Sequence, residues 1–258
     1  MIYGKLPVVF LSVMATEKKG STNSVIASYI LEHMEDMKDL GIKELAARCH
    51  VGLGSVSRFC REIGLQDFVE LKELLWSAEM NYQVCSGQET AYDRAKDYGD
   101  RVKSAIDMVT STLSLQLVGE LCRDFIRYER AAVFGLLKAE GAAVNLQTDL
   151  LMLGRQVYTN MSYNQQIGYI RQAGRGDLIV IFSCTGSYFE YEREALFGGR
   201  DKGDWPKIWV VSGMRRDFPG YVAKVLYYRS LGDQASHPYQ LQYIASIIAQ
   251  EYAVLTGQ

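Results

Sequence analysis

The fold is decided by residues 178–187, which read Leu178-Ile179-Val180-Ile181-Phe182 followed by Ser183-Cys184-Thr185-Gly186-Ser187. Five consecutive apolar residues predict a strand that is buried on both faces, as in a parallel sheet. Ligands of open α/β sheets bind beyond the carboxyl ends of the strands. The hydroxyl and amide groups of this loop are therefore candidate donors to a phosphate. A tight strand-to-helix turn without a ligand explains the same residues.

Other short apolar runs in the C-terminal half alternate with helical stretches. The predicted strands are Ala131–Phe134, Gln156–Tyr158, Leu178–Phe182, Ile208–Val211 and Val225–Tyr228. The predicted helices are Gly141–Leu153, Gln165–Ala173, Tyr188–Phe197 and Tyr239–Leu255. This alternation predicts an α/β domain with an open, mainly parallel sheet that is covered on both faces.

The N-terminal half has a different pattern, with apolar residues at helical spacing throughout. Short helices are predicted at Ile42–Cys49, Leu53–Ile63 and Leu65–Met80, and Gly64 ends the second of them. We predict an all-α domain over residues 1–80, a linker and connecting helix over 81–118, and the α/β domain over 119–258. The connecting helix is expected over Val102–Leu117.

The segment Ile42–Gly64 has the order of a helix-turn-helix: a short helix, a turn of about four residues and a second helix. The second helix is expected to expose small and basic residues that suit a phosphate backbone and base edges. The candidate DNA-contacting residues are Lys43, Gly52, Gly54, Ser55, Ser57, Arg58, Arg61 and Lys72. A protein-interaction module of three short helices is the alternative that this pattern leaves open.

Charge limits what this chain can bind. The 258 residues carry a formal net charge of −2, and residues 24–80 hold 10 acidic against 6 basic side chains. A uniformly basic nucleic-acid-binding surface is thus excluded, and any DNA or anion site must consist of a few placed groups.

The cysteines and histidines do not indicate a metal, a cofactor or a disulfide framework. The five cysteines are scattered without CxxC spacing, and the three histidines are far apart. Reduced thiols fit a cytoplasmic protein best, and no apolar run reaches the length of a membrane helix. The apolar stretch Leu6–Ala15 has the length of a signal peptide. We interpret it as a first helix that packs under the next domain.

Residues 26–72 closely resemble the N-terminal domain of RpiR-type bacterial transcriptional regulators, most specifically at Val56-Ser57-Arg58-Phe59-Cys60-Arg61-Glu62-Ile63-Gly64. The resemblance implies binding to a double-stranded DNA operator. Two-fold related half-sites would then require at least a dimer, either a homodimer or a homotetramer. Gly52 stands where the family usually has Ser, and glycine is an acceptable helix cap.

Residues 131–255 are similar to a SIS (sugar isomerase) domain, the phosphosugar-binding fold of these regulators. The resemblance implies a small phosphorylated sugar as effector, bound by Gly135, Ser183, Thr185, Gly186, Ser187 and Glu190. It departs in the first loop, where Leu137 and Ala139 replace a usual Gly and Ser, and we expect Lys138 between them to be solvated.

We therefore expect a cytoplasmic, sugar-phosphate-responsive regulator of a carbohydrate-metabolism operon that has no catalytic residues. The effector would act on the spacing of the DNA-binding units through the helix over Val102–Leu117. The alternative is a phosphosugar isomerase with a helical appendage, whose candidate acid/base groups are Glu190, Glu192, Asp233 and His237.

Overall fold

A computed structural model describes residues 5–76, 84, 86–191 and 196–258, which form an N-terminal all-α unit followed by an α/β unit. The helices of the first unit are α1 (Lys5–Thr16), α2 (Thr22–Glu32), α3 (Ile42–Arg48), α4 (Leu53–Glu62) and α5 (Phe68–Trp76). The predicted helix over Leu65–Met80 begins later, at Phe68, and residues 77–80 lie outside the described part of the chain.

The N-terminal unit is held together by the apolar faces of its helices. The hydroxyl of Ser21 caps α2 by accepting a hydrogen bond from the amide of Ser24. Phe10 of α1 stacks on Phe59 of α4 with ring centroids 5.9 Å apart, and both are fully buried. The apolar stretch near the N-terminus is therefore a helix of this core. Gly64 ends α4 in the left-handed region, at φ 86°.

The two units are linked by α6 (Ala91–Thr112), which is followed by α7 (Leu115–Arg127). The expected helix over Val102–Leu117 is wrong at its end, because Leu113 is extended and the hydroxyl of Ser114 caps α7. Val109 of α6 is fully buried and belongs to the core of the α/β unit. The connecting helix therefore packs on that unit along part of its length.

The sheet contains β1 (Arg130–Gly135), β2 (Asp177–Phe182), β3 (Lys207–Ser212) and β4 (Val222–Tyr227). All three pairings are parallel, in the order β1-β2-β3-β4. The sheet is accompanied by α7 and by α8 (Lys138–Met152), α9 (Tyr163–Gln172) and α10 (His237–Thr256). Gly135 and Phe182 are register partners, so the loops that follow β1 and β2 leave the sheet side by side.

The residues of β2 alternate between two cores. Leu178, Val180 and Phe182 pack on the side of α7, α8 and α10. Ile179 and Ile181 pack on the side of α9. The sheet is therefore covered on both faces, and the predicted fold class, an all-α helix-turn-helix domain followed by an α/β domain with an open parallel sheet, is confirmed.

Two predicted elements of the α/β unit differ from the structure. The run Gln156–Tyr158 makes a single parallel bridge to β1, in which the amide of Val133 donates to the carbonyl of Tyr158. The predicted helix over Tyr188–Phe197 is wrong where the structure describes it, since Tyr188–Tyr191 is one 3-10 turn. Aromatic contacts fix this segment, because the ring of Phe189 packs edge-on against Tyr221.

Candidate functional site

The predicted DNA-contacting residues lie on α3, α4 and α5 or directly before α4, and none of them is buried. The exposed ones are Lys43, Gly52, Gly54, Arg58 and Arg61. The half-buried ones are Ser55, Ser57 and Lys72. The opposite side of α4 presents Val56, Phe59 and Cys60 to the core, where all three are fully buried. The predicted residues of α4 therefore lie away from the buried side of that helix.

The start of α4 is open to a ligand. Gly52 precedes the helix in an extended conformation, and no side chain caps the first turn. The first amide groups of a helix have no partner within the helix, and they favour anions such as DNA phosphates. Leu53, which sequence reasoning missed, is 46% exposed at the first helical position. Leu53 is three residues before the buried Val56, a spacing that predicts burial on the same helix face and so gave no sign of exposure. An apolar side chain at this position suits contact with a thymine methyl group.

Several acidic side chains of this unit are engaged by neighbouring groups. Glu35 pairs with Lys38 at 3.0 Å, and Glu44 pairs with Arg48 at 2.7 Å. The Nδ2 group of Asn23 donates to the carboxylate of Glu62 over 2.7 Å. These contacts satisfy three acidic side chains within the unit. The cations of α4 are Arg58 and Arg61, and both are exposed.

A second candidate site lies at the carboxyl ends of β1 and β2. A cavity there is lined by Val8 of α1, by the first loop (Leu136, Leu137, Lys138, Ala139), by the second loop (Phe182, Ser183, Cys184, Thr185, Ser187, Tyr188) and by His237 of α10. This is the edge of the sheet where open α/β folds bind their ligands.

The three predicted hydroxyl donors of the second loop all line this cavity. The hydroxyls of Thr185 and Ser187 are 2.6 Å apart, and the amide of Ser187 lies 3.4 Å from the Thr185 oxygen. Ser183 and Ser187 are each 8% exposed, so a bound anion would be shielded from much of the solvent. Hydroxyls and amides in a water-poor pocket suit a phosphate group.

Two predicted glycines act through the backbone instead of lining the cavity. A Cβ atom on Gly135 would lie 2.7 Å from the carbonyl of Ala139, so glycine permits the close approach of β1 and α8. Gly186 has φ 70°, and its missing side chain would meet Arg216 at 2.5 Å. The side chain of Glu190 lies outside the described part of the structure.

The first loop has a strained backbone. Leu137 has φ 52° and ψ −116°, a conformation that glycine adopts freely and other residues adopt at a cost of about 1–3 kcal/mol. Lys138 is exposed, but it is more than a solvated side chain, since its ammonium donates to the carbonyl of Gln234 over 3.0 Å. The loop thus places an apolar residue and a cation at the mouth of the cavity.

Burial favours the neutral form of the imidazole of His237, which was not predicted as a ligand contact. The side chain is 4% exposed, and burial is the largest cause that lowers its pKa, with the nearby charge of Lys138 acting in the same sense. Its Nδ1 atom lies 2.9 Å from the carbonyl of Asp233. The position of His237 at the start of α10 was a usable signal, because helix starts cluster at ligand-binding edges.

The groups that an isomerase would need are only partly brought together. The carboxylate of Asp233 accepts from Arg101 at 3.0 and 3.1 Å and from the amides of Ala235 and Ser236, so it serves the structure around α10. Glu192 and the side chain of Glu190 lie outside the described residues. Of the four predicted acid/base groups, the structure places His237 at the cavity.

The thiol of Cys184 faces the cavity but is not activated. Burial raises its pKa, and its sulfur lies 3.6 Å from the hydroxyl of Ser230. Within the described residues there is no group of His, Cys, Asp and Glu side chains that could hold a metal ion. No helix in that part of the chain combines the length and hydrophobicity needed to cross a bilayer.

Glu140 in the first turn of α8 is a buried carboxyl group with an unsatisfied oxygen. The residue is 6% exposed, Oε1 has no hydrogen-bond partner, and burial raises the pKa to about 7. A glutamate in the unfolded chain has a pKa of about 4.3. The folded state therefore holds a proton that the unfolded state releases, so stability falls as the pH rises from about 4 to 7.

Glu140→Gln, which mimics the protonated acid, should remove this loss of stability. We expect the variant to be more stable than the wild type by about 1–3 kcal/mol at pH 8 and nearly equal to it at pH 4. Urea unfolding at both pH values measures the difference. The same substitution at the exposed Glu73 should change stability little at either pH. An equal effect of Glu140→Gln at both pH values would contradict the prediction.

Comparison with known protein families gives one match, over residues 13–80, to the family described as "Helix-turn-helix domain, rpiR family". Two relatives named as HTH-type transcriptional regulators align over longer segments. The one from Providencia stuartii is 21% identical over 172 residues, which cover 64% of this chain and 61% of the relative. The one from Haemophilus influenzae is 23% identical and covers 67% of this chain and 60% of the relative. The chain thus spans less than two thirds of the length of these relatives.

Two solved structures share the fold at low sequence identity. "The Vibrio vulnificus NanR protein complexed with ManNAc-6P" has a TM-score of 0.54 and 15% identity, covering 98% of this chain and 93% of that chain. The c3406 protein of E. coli CFT073, solved in complex with a ligand, also has a TM-score of 0.54, with 10% identity, covering 66% of this chain and 94% of that chain. The first alignment spans both units.

Proposed function

We propose that the chain, whose residues 13–80 match the helix-turn-helix domain of the rpiR family, is a transcriptional regulator that binds an operator through α4 and a sugar phosphate at the α/β cavity. The observation that carries the proposal is the cavity of three hydroxyl-bearing side chains, Ser183, Thr185 and Ser187, in the same chain as an exposed, arginine-bearing α4. A DNA-binding regulator of this kind acts in the cytoplasm.

On the DNA side, the geometry supports insertion of α4 into the major groove. Arg58 and Arg61 have the guanidinium geometry that hydrogen-bonds a guanine edge or a phosphate. Gly52, Gly54 and Ser55 are small enough for the helix start to approach the backbone, with Ser57 one turn into the helix. Lys43 and Lys72 flank α4 and would add phosphate contacts. Two copies of the chain would bind related half-sites, so we propose a homodimer or a homotetramer.

Removing either arginine should weaken operator binding. If the side chain makes a bidentate base contact, Arg58→Ala or Arg61→Ala costs about 1–3 kcal/mol, which is roughly 5- to 150-fold in affinity. A gel-shift titration with the DNA that flanks the chain's own gene measures the loss. Arg175→Ala is the matched control, since Arg175 is exposed on the turn before β2. Wild-type affinity in both α4 variants would remove α4 from the DNA interface.

On the effector side, the phosphate of the sugar would bind at the second loop. The hydroxyls of Ser183, Thr185 and Ser187 and the amides around Gly186 would donate to its oxygens, and Gly135 would let the first loop close beside them. Glu190 would take part from the turn that follows.

Thermal melting with small anions tests the effector half of the proposal. The probes are ManNAc-6P, the ligand named for the first structural neighbour, and a panel of hexose and pentose phosphates. We expect at least one of these sugar phosphates to raise the melting temperature more than inorganic phosphate does. A coupled assay on the same panel tests for an isomerase. Turnover would favour the enzyme, and stabilisation without turnover supports the regulator.

A further inference from the structure

Helix α1 of the N-terminal unit has two buried faces. Leu6, Val9 and Phe10 pack into the core of that unit. Val8 and Ser12, which are four residues apart and so share another face of the helix, are 5% and 4% exposed. Val8 lines the cavity beside the phosphate loop. Helix α1 therefore packs in the N-terminal unit and also lines the proposed effector site.

Ser12, on this second face, forms hydrogen bonds at the start of α9. Its hydroxyl donates to the carbonyl of Met161 over 2.9 Å and lies 3.4 Å from the amide of Tyr163, the first residue of α9. The next residue, Asn164, donates from Nδ2 to the carbonyl of Glu62 over 2.5 Å. Glu62 is the last residue of α4. The start of α9 thus contacts both α1 and the proposed recognition helix.

The same helix, α9, contacts the last residue of β1, which the first loop follows, and the second loop. Gln166 is fully buried, and its Nε2 atom donates to the carbonyl of Gly135 over 2.8 Å. Its Oε1 atom accepts from the hydroxyl of Tyr188 over 2.7 Å, and Tyr188 adjoins Ser187 of the second loop. A continuous set of contacts therefore joins the end of β1, the second loop, α9, α1 and α4.

We propose that α1 is a wall of the effector site and that the chain senses its effector by the displacement of Val8. This inference rests on the proposed function, because it concerns the same cavity. A sugar carries hydroxyl groups, and burying a hydroxyl against the apolar side chain of Val8 without a partner is unfavourable. An arrangement in which α1 has withdrawn therefore binds the sugar phosphate more tightly.

This difference in affinity is what a ligand needs in order to shift an equilibrium between two arrangements. Withdrawal of α1 breaks the bonds of Ser12 and loosens the contact between Asn164 and α4, which reorients the recognition helix. The signal then passes through α1 and α9, whereas the sequence suggested α6 as its route.

Variants that weaken the contact of α1 with the start of α9 should bind the effector more tightly. Ser12→Ala removes a hydrogen bond worth about 0.5–1.5 kcal/mol, so the affinity for ManNAc-6P, or for whichever sugar phosphate of the panel binds best, should rise about 2- to 10-fold. Val8→Ala should act in the same direction. Ser12 does not line the cavity, and a merely structural role would not increase affinity. Met14→Ala is the control, because Met14 lies on α1 with 42% of its surface exposed.

Calorimetric titration of the full chain with these sugar phosphates gives the affinities, and hydrogen exchange of residues 5–16 reports on α1 directly. We expect that exchange to become faster when a sugar phosphate binds. Unchanged or reduced affinity in both variants overturns the inference, as does binding without faster exchange, while the proposed function stands. If no sugar phosphate of the panel binds the wild type, the phosphate-loop assignment itself fails and the inference fails with it.

Discussion

The double substitution Ser183→Ala with Thr185→Ala should abolish the stabilisation of the chain by sugar phosphates. Each hydroxyl would donate a charge-assisted hydrogen bond, worth about 1.5–3 kcal/mol. Losing two such bonds weakens binding by at least about a hundredfold. Both side chains line the cavity at the carboxyl end of β2. The shift in melting temperature with ManNAc-6P or the best-binding sugar phosphate, compared with the wild type, measures the loss.

A matched control separates this effect from the removal of hydroxyls in general. Ser111→Ala with Thr148→Ala deletes two exposed hydroxyls that hydrogen-bond to carbonyls of their own helices. That variant should keep the wild-type response to the sugar phosphates. Full stabilisation of the Ser183→Ala, Thr185→Ala chain would place the ligand outside the second loop.

The fold could be predicted because its strongest signals are local. Residues 178–182 form an uninterrupted apolar run, and every one of them is fully buried in β2. The small residues of the loop after β2 and the order of α3 and α4 likewise follow from neighbouring residues. Patterns of this kind need no knowledge of what the element packs against.

The predictions failed where tertiary contacts decide the local structure. The apolar face that begins at Val102 continues past Thr112 in sequence, but Ser114 starts a new helix there. The turn at Tyr188 is held by the hydroxyl contact to Gln166, which lies 22 residues away. Sequence patterns could predict that α1 is a helix. They could not show that Val8 lines the cavity at the carboxyl ends of β1 and β2, because the other lining residues come from another unit of the chain.

Contacts between distant residues also predict a large loss of stability on substitution of Asp124 on α7, whose partners lie 83 and 85 residues away. Its carboxylate accepts from the indole of the fully buried Trp209 over 2.8 Å and pairs with Lys207 at 2.6 Å. Both partners lie on β3, so Asp124 joins a covering helix to the sheet. Asp124→Ala leaves a buried indole N–H and a partly buried ammonium without their carboxylate.

We expect Asp124→Ala to lower the free energy of unfolding by about 3–5 kcal/mol, because breaking a buried ion pair from one side leaves the other charge uncompensated. Asp124→Asn keeps an oxygen that can accept from Trp209, so it should cost clearly less than the alanine variant. Asp107→Ala, on the exposed side of α6, should stay within about 0.5 kcal/mol of the wild type. Urea unfolding followed by circular dichroism ranks the three variants. Equal stability of Asp124→Ala and Asp107→Ala would show that the contact between α7 and β3 does not depend on this carboxylate.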